Sequence, residues 1–291
     1  MKILIIGASG LVGSNCLKHF TEEGHQVIGT HLSYATPQTT FYNTLKPNHP
    51  QNFDIKAFAP DVIIHCGALT HVDYCEEQKK ESYQKTVSST GNLIKIAKAC
   101  NARLVYISTD YVFDGKKGPY KEDAKTNPIN IYGKHKLRAE RMVLNQIPNS
   151  LVLRITNVYG EEERGKNFVS RIINQCKEQK QLDLKLPYDQ YASPTNAWDI
   201  ARAMLLLLRD KHKGVFHIGG TDYMNRVDLA QRVLKYFPEA GYTLTPTDTA
   251  SLQQSALRPL MGGFIKSKFS NLYPEFLFST VDEYVLQKSM E

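Results

Sequence analysis

The sequence predicts an α/β fold built on a doubly wound parallel sheet. Two observations carry that prediction. Over residues 1–160, short apolar runs that read as buried strands alternate with segments of helical period, as a parallel sheet covered by helices requires. The chain also opens with Met1-Lys2-Ile3-Leu4-Ile5-Ile6 and passes directly into glycines at 7, 10 and 13, which reads as strand, tight turn and helix start.

The elements follow in order. The first helix runs through Leu11, Leu17 and Phe20, and Val27-Ile28-Gly29-Thr30 is the second strand. Val62-Ile63-Ile64-His65-Cys66 is another strand, set off by the turn at Ala59-Pro60-Asp61. A long helical pattern covers residues 79–100, and Leu104-Val105-Tyr106-Ile107 is a strand that ends at Ser108-Thr109-Asp110. A helix around Tyr132 leads to the strand Leu151-Val152-Leu153-Arg154-Ile155. After Gly160 the rhythm loosens into helical pieces near 167–180, 196–209 and 226–237, with Val215-Phe216-His217-Ile218 strand-like among them. No repeat or low-complexity linker interrupts the chain.

Composition narrows the class. With 291 residues, 42% of them hydrophobic, the chain can bury a large core as one big domain or two smaller ones. The apolar stretch Ala203-Met204-Leu205-Leu206-Leu207-Leu208 is far too short to span a bilayer, and Met1 leads straight into a strand, so no signal peptide is expected. Five cysteines without a C-x-x-C pair point to reduced thiols in a cytoplasmic protein. The net charge of +7 suits an anionic small molecule. Its lysines and arginines are scattered rather than gathered in a stripe, which argues against nucleic acid. His65, His71 and Cys75 lack a paired ligand spacing, so no metal is expected.

In an open parallel sheet, ligands bind beyond the carboxyl ends of the strands. Segments 7–13, 66–70, 108–110 and 156–159 all fall there. The glycines would let backbone approach a pyrophosphate held by amides and the positive helix end. Tyr132 and Lys136, four residues apart, share one face of a helix. An ammonium in that position can lower the phenol pKa, and a hydroxyl such as Thr109 can hold a carbonyl oxygen beside it. That set suits proton transfer during hydride chemistry at a carbonyl or alcohol.

Together these motifs resemble the extended short-chain dehydrogenase/reductase superfamily and, within it, the dTDP-4-dehydrorhamnose reductase family. The resemblance runs over nearly the whole chain. Gly7-Ala8-Ser9-Gly10-Leu11-Val12-Gly13, Gly67-Ala68-Leu69-Thr70-His71-Val72-Asp73, Ser108-Thr109-Asp110-Tyr111-Val112-Phe113-Asp114-Gly115 and Tyr132-Gly133-Lys134-His135-Lys136 carry it. Leu153-Arg154, Val158-Tyr159-Gly160, Asn167-Phe168, Asp189-Gln190, Pro194-Thr195, Arg258-Pro259 and Lys268-Phe269 continue it.

The resemblance implies a Rossmann domain in residues 1–160, with 190–220 returning to it, and a nucleotide-sugar domain made mainly of 161–291. It implies an oxidoreductase that reduces the 4-keto group of a dTDP-linked 6-deoxyhexose, as in dTDP-L-rhamnose synthesis for cell-surface polysaccharide. Tyr132 would donate the proton, Lys136 tune it and hold the nicotinamide ribose, and Thr109 bind the substrate carbonyl. Cofactor contacts would come from Gly7, Ser9, Gly10, Leu11, Val12, Gly13, His31, Ser33, Asp54, Ile55, Gly67, Ala68 and Thr70, with Tyr132 and Lys136. Substrate contacts would come from Thr109, Asp110, Tyr111, Asn157, Asn167 and Arg258, the last as a fork for the diphosphate. A homodimer is one assembly the family allows.

Two residues depart from the pattern. Asn157 stands where these reductases typically carry Trp, which predicts a looser sugar site without an aromatic wall. Thr86 stands where many relatives have Asn. No carboxylate occurs between Glu23 and Asp54, so the second strand lacks the acid that selects a ribose 2′-hydroxyl. Thr30, His31 and Ser33 could instead donate to a 2′-phosphate, and NADPH is expected, with NADH still usable. Two alternatives stay open. The regulatory beta subunit of methionine adenosyltransferase has similar motifs at 107–115 and 131–140. Nucleotide-sugar epimerases and dehydratases share the Tyr-Lys pair, although dehydratases usually place Asp-Glu directly after the Thr.

Overall fold

The computed structural model describes all 291 residues. In chain order its first half runs β1 (Lys2–Ile6), α1 (Leu11–Glu22), β2 (Gln26–His31), β3 (Thr39–Phe41), α2 (Ile55–Phe58), β4 (Val62–His65), α3 (Val72–Glu77), α4 (Lys79–Tyr83), α5 (Ser89–Ala99), β5 (Arg103–Thr109), α6 (Ile131–Gln146) and β6 (Leu151–Ile155). The second half runs β7 (Val158–Tyr159), α7 (Phe168–Lys177), β8 (Leu182–Pro187), β9 (Tyr191–Ala192), β10 (Thr195–Asn196), α8 (Ala197–Arg209), β11 (Gly214–His217), β12 (Met224–Asn225), α9 (Arg226–Leu234), β13 (Tyr242–Thr247), α10 (Ser267–Leu272) and α11 (Val281–Ser289).

A seven-stranded sheet in the order β11-β6-β5-β4-β1-β2-β3 forms the frame, and every neighbouring pair in it is parallel. The strands are apolar on both sides because both faces are covered. Ile3, Ile5, Val62, Ile64, Val105, Ile107, Leu151 and Leu153 pack with Phe20 of α1 and with Ile200, Met204 and Leu207 of α8. Leu4, Ile63, Leu104, Tyr106 and Val152 pack on the other side with Leu93 and Ile94 of α5 and Val143 of α6. Residue alternation within each strand decides which side chain goes to which layer.

A separate core joins Tyr159 to α7, α9 and α11, through Ile172, Ile173, Leu229, Val233, Val281 and Val285. The parallel pair β8–β13 lies beside it. The sequence reading had neither β3 nor the β8–β13 pair. Their half-exposed Thr, Lys and Asp residues do not stand out as buried runs. The expected single helix over 79–100 is broken into α4, a π-helical turn at Gln84–Ser88, and α5. No helix is long and apolar enough to cross a membrane.

Strand order reverses between β1 and β4, so the crevice of a doubly wound sheet opens above their carboxyl ends. The segments that matter chemically converge there.

Candidate active site

At the reversal point the turns after β1 and β4 touch backbone to backbone. Gly7 has φ of +83°, and a Cβ on it would lie 2.9 Å from the Gly67 amide nitrogen. Gly10 caps α1 without a side chain, which leaves the first-turn amides and the positive helix end free for an anion. Ser9, Leu11 and Val12 line this mouth half-buried, and Gly13 is buried behind them. This backbone cradle fits a dinucleotide pyrophosphate.

The flanking residues fit less uniformly. His31 ends β2 with Nδ1 2.8 Å from Thr39 Oγ1, and Ser33 lies exposed just beyond. Thr30 does not join them. Its hydroxyl is buried and donates to the Ile5 carbonyl at 3.2 Å, because the strand alternation turns it inward. Asp54 caps α2, accepting from the Ala57 amide at 3.0 Å, and Ile55 is buried beneath it. Ala68 and Thr70 lie in the loop between β4 and α3.

Thr109, the last residue of β5, is buried, and its hydroxyl donates to Asp110 Oδ1 at 3.2 Å. Tyr132 enters from the first turn of α6, with its ring edge-on to Tyr111 at 5.5 Å between centroids. Gly133 makes this approach feasible, since a Cβ there would lie 2.1 Å from the Tyr111 carbonyl oxygen. The start of α6 is fixed on three sides. Asn130 Oδ1 accepts from the Gly133 amide at 2.8 Å, Asn130 Nδ2 donates to the Leu257 carbonyl at 2.8 Å, and the Ile131 amide donates to Glu76 Oε2 at 2.9 Å.

The expected influence of Lys136 on the phenol is not what the geometry gives. Lys136 Nζ donates to the Ile107 carbonyl and lies 4.3 Å from the centre of the Tyr106 ring. Burial pushes its pKa down to about 7, opposed by Cys66 and Glu140. Burial also dominates Tyr132 and pushes the phenol above its ordinary value, with the Thr109 hydroxyl opposing the shift. Tyr132 is therefore a neutral phenol near pH 7, the form that can donate a proton.

Beneath this centre lies a buried polar chain. Glu140 accepts from Ser108 Oγ at 2.9 Å and from Arg154 Nε at 3.1 Å, and its second oxygen is bonded to Arg154 Nη2. Arg154 Nη1 lies 3.2 Å from His217 Nε2, and His217 Nδ1 lies 3.0 Å from the Tyr120 carbonyl oxygen. A carbonyl only accepts and a guanidinium only donates, so His217 carries its proton on Nδ1. The network ties α6 to β5, β6 and β11.

On the opposite side of Thr109, Asp110 is buried and accepts from Thr156 Oγ1 at 2.6 Å and from the Gly263 amide at 3.2 Å. Burial raises its pKa against those hydrogen bonds. Asn167 serves as the cap of α7, accepting from the Ser170 amide at 3.0 Å and donating to the Gly160 carbonyl at 3.1 Å. Arg258 is bonded to Asp73 and to the Ala256 carbonyl, so its fork is already engaged within the chain. Asn157 Oδ1 accepts from Arg226 Nη2 at 2.7 Å. The Arg226 guanidinium lies 5.0 Å over the Phe168 ring.

A family model described as the RmlD substrate binding domain matches residues 1–275. The chain belongs to that family. Methionine adenosyltransferase 2 subunit beta from Bos taurus is 33% identical over 264 residues, covering 89% of this chain and 75% of that protein. A dTDP-4-dehydrorhamnose reductase from Aggregatibacter actinomycetemcomitans is 31% identical over 255 residues, covering 81% of this chain and 82% of that protein. Among solved structures, a dTDP-4-dehydrorhamnose reductase from Clostridium acetobutylicum superposes with a TM-score of 0.84 at 30% identity, over 99% of this chain and 98% of that one. Another from Bacillus anthracis, in complex with NADP, gives 0.84 at 25% identity over the same shares.

Two features of this RmlD-family chain escape a reading of the sequence. The His217–Arg154–Glu140 network joins residues 63 and 14 positions apart, and no local pattern announces it. Arg226 reads simply as the first residue of an asparagine-capped helix. Only the packing of α9 against α7 brings it to Asn157, a partner 69 positions away. Thr86, noted as a departure, is buried in the π-helical turn, and its carbonyl accepts from Thr90 Oγ1 at 2.6 Å.

Proposed function

We propose that this RmlD-family chain is a nicotinamide-dependent reductase acting at C4 of a nucleotide-linked keto-sugar, with a dTDP-linked 4-keto-6-deoxyhexose of the dTDP-4-dehydrorhamnose type as the first substrate to assay. The observation that carries this reading is the meeting of Thr109, Tyr132 and Lys136 beside the Gly7–Gly67 cradle. The cofactor is a nicotinamide dinucleotide, and we assign NADPH because the end of β2 presents His31 and Ser33 and no carboxylate.

When bound, the nicotinamide supplies a hydride to the carbonyl carbon. The chain supplies the rest. The Tyr132 hydroxyl delivers the proton to the carbonyl oxygen, and its burial keeps it protonated until then. The Thr109 hydroxyl exchanges Asp110 for that oxygen and holds it. Lys136 would hold the nicotinamide ribose, and burial brings its pKa down to about 7. Residues 1–160, with 190–220 returning, would hold the dinucleotide, and 161–291 mainly the sugar nucleotide. The reaction would serve dTDP-L-rhamnose synthesis for cell-surface polysaccharide in the cytoplasm.

A second reading has its own support. The mammalian relative at 33% identity is named as a subunit of methionine adenosyltransferase, so a non-catalytic regulatory role is the competitor. The test follows NADPH absorbance after adding enzymatically generated dTDP-4-keto-6-deoxyhexose. Steady consumption with product formation supports the reductase. No consumption, together with a stable complex with a methionine adenosyltransferase catalytic subunit, replaces it with the regulator.

A further inference from the structure

Arg226 is a half-buried guanidinium without a carboxylate partner. Arg154, Arg202, Arg209, Arg232 and Arg258 each have a carboxylate oxygen within 4 Å. Arg138, Arg141, Arg164 and Arg171 have none but are exposed, which leaves Arg103 and Arg226 as the half-buried arginines without one. An arginine drawn away from water without a counter-charge is costly, and a ligand can supply the missing charge. Asn157 takes one of its five N–H donors, and Phe168 supports its flat face. The remaining donors are held ready.

Asn157 itself is strained for this duty. It is a non-glycine residue at φ +43°, a conformation tolerated by asparagine better than by most residues. That conformation accompanies the amide's hold on Arg226.

Tyr111, Asp110 and Arg171 are the charged and titratable groups whose fields act on Arg226. The chain connects it to Asp110, since its partner Asn157 follows Thr156, whose hydroxyl donates to Asp110 Oδ2 at 2.6 Å. Asp110 is not its partner: neither Asp110 oxygen lies within 4 Å of the guanidinium, and the carboxylate accepts instead from Thr109, Thr156 and Gly263. Tyr111 lies against Tyr132, and Asp110 holds the Thr109 hydroxyl. Arg226 therefore stands on the Asp110 side of the reaction centre, whereas Arg258, the cation the sequence suggested for the diphosphate, is tied to Asp73.

We infer that Arg226, positioned by Asn157, reads an anionic substituent on the sugar, and that the preferred sugar bears a carboxylate near the reacting carbon, as a hexuronic acid does. Planar, paired recognition of a carboxylate is what a preset guanidinium fork does best. The inference rests on the nucleotide-sugar reading above and changes only which sugar is preferred, so that a neutral 6-deoxyhexose binds more weakly.

The test uses two probes with the same base that differ only at C6, UDP-glucose and UDP-glucuronate. Each is titrated calorimetrically into the full chain with NADPH present, where neither can be reduced. The wild type should bind the glucuronate roughly 10- to 100-fold tighter, the range for a hydrogen-bonded charge pair. R226Q should lose that preference while binding UDP-glucose as before. N157G, which keeps the backbone conformation and removes the amide, should lose part of it. Equal wild-type affinities, or a preference for UDP-glucose, overturn the inference even where no variant folds. An R226Q that weakens both probes equally also overturns it, since Arg226 would then hold the diphosphate. Binding of neither probe, with dTDP-glucose also unbound, would count against the nucleotide-sugar reading itself.

Discussion

Tyr132 and Lys136 share one face of α6, yet the Lys136 ammonium group donates to the Ile107 carbonyl and not to the phenol. The pair thus divides its duties. Burial holds Tyr132 protonated, and Lys136 sits over Tyr106 with its charge partly suppressed.

Replacing Tyr132 with Phe should abolish most turnover and leave dinucleotide binding largely intact. The phenol contributes a proton, worth ~10²–10⁴-fold in rate, and few cofactor contacts. Lys136→Ala should impair both. Steady-state reduction beside a fluorescence titration with NADPH separates the two effects, and near-normal turnover by the Phe variant would remove Tyr132 from the mechanism.

Cofactor choice should favour the 2′-phosphate. His31 keeps Nε2 free while Nδ1 is bonded to Thr39, and Ser33 is exposed beside it. The end of β2 itself carries no arginine, so NADH should still be used. Competing kcat/KM measurements check this, and a more than tenfold advantage for NADH would refute it.

Arg154→Met should destabilise the fold by about 3–5 kcal/mol, because it strands the buried Glu140 carboxylate with only Ser108 as a partner. The double change Arg154→Met with Glu140→Leu should recover much of that loss. Urea unfolding of both variants measures it, and equal losses would show that the pair's charge is not what matters.

Acid should unfold the protein through two histidines. Burial lowers His65 to about 3, with Lys136 adding to the shift, and lowers His217 to about 3, with Arg154 adding to it. Each stays neutral in the fold while the unfolded chain takes up a proton below pH 6.5. The unfolded state binds more protons between about pH 3 and 6.5, so stability falls as pH drops through that window. The slope should reach about 1.4 kcal/mol per pH unit for each histidine. His65→Leu should flatten it, and an unchanged slope in urea titrations at pH 4–6 would exclude His65 as a source.

Sequence alone determined the doubly wound sheet, the glycine turn after its first strand, the placing of Thr109 at a strand end, and that of Tyr132 and Lys136 on one helix face. These are consequences of local periodicity and short spacings, which the chain carries wherever it folds. Element ends shifted by a residue or two, as with Arg103–Thr109 and Gly214–His217, because fraying ends have no sharp sequence signal. The tertiary structure decided what the side chains do once there. Burial, a property of the packed whole, reversed the expected shift on Tyr132, and strand pleating turned Thr30 away from the cofactor edge. Asp73 and Arg258, 185 positions apart, neutralise each other. Asn157 and Arg226, 69 apart, are joined by a hydrogen bond. Charge pairing across such separations depends on which surfaces meet, and no local pattern encodes it.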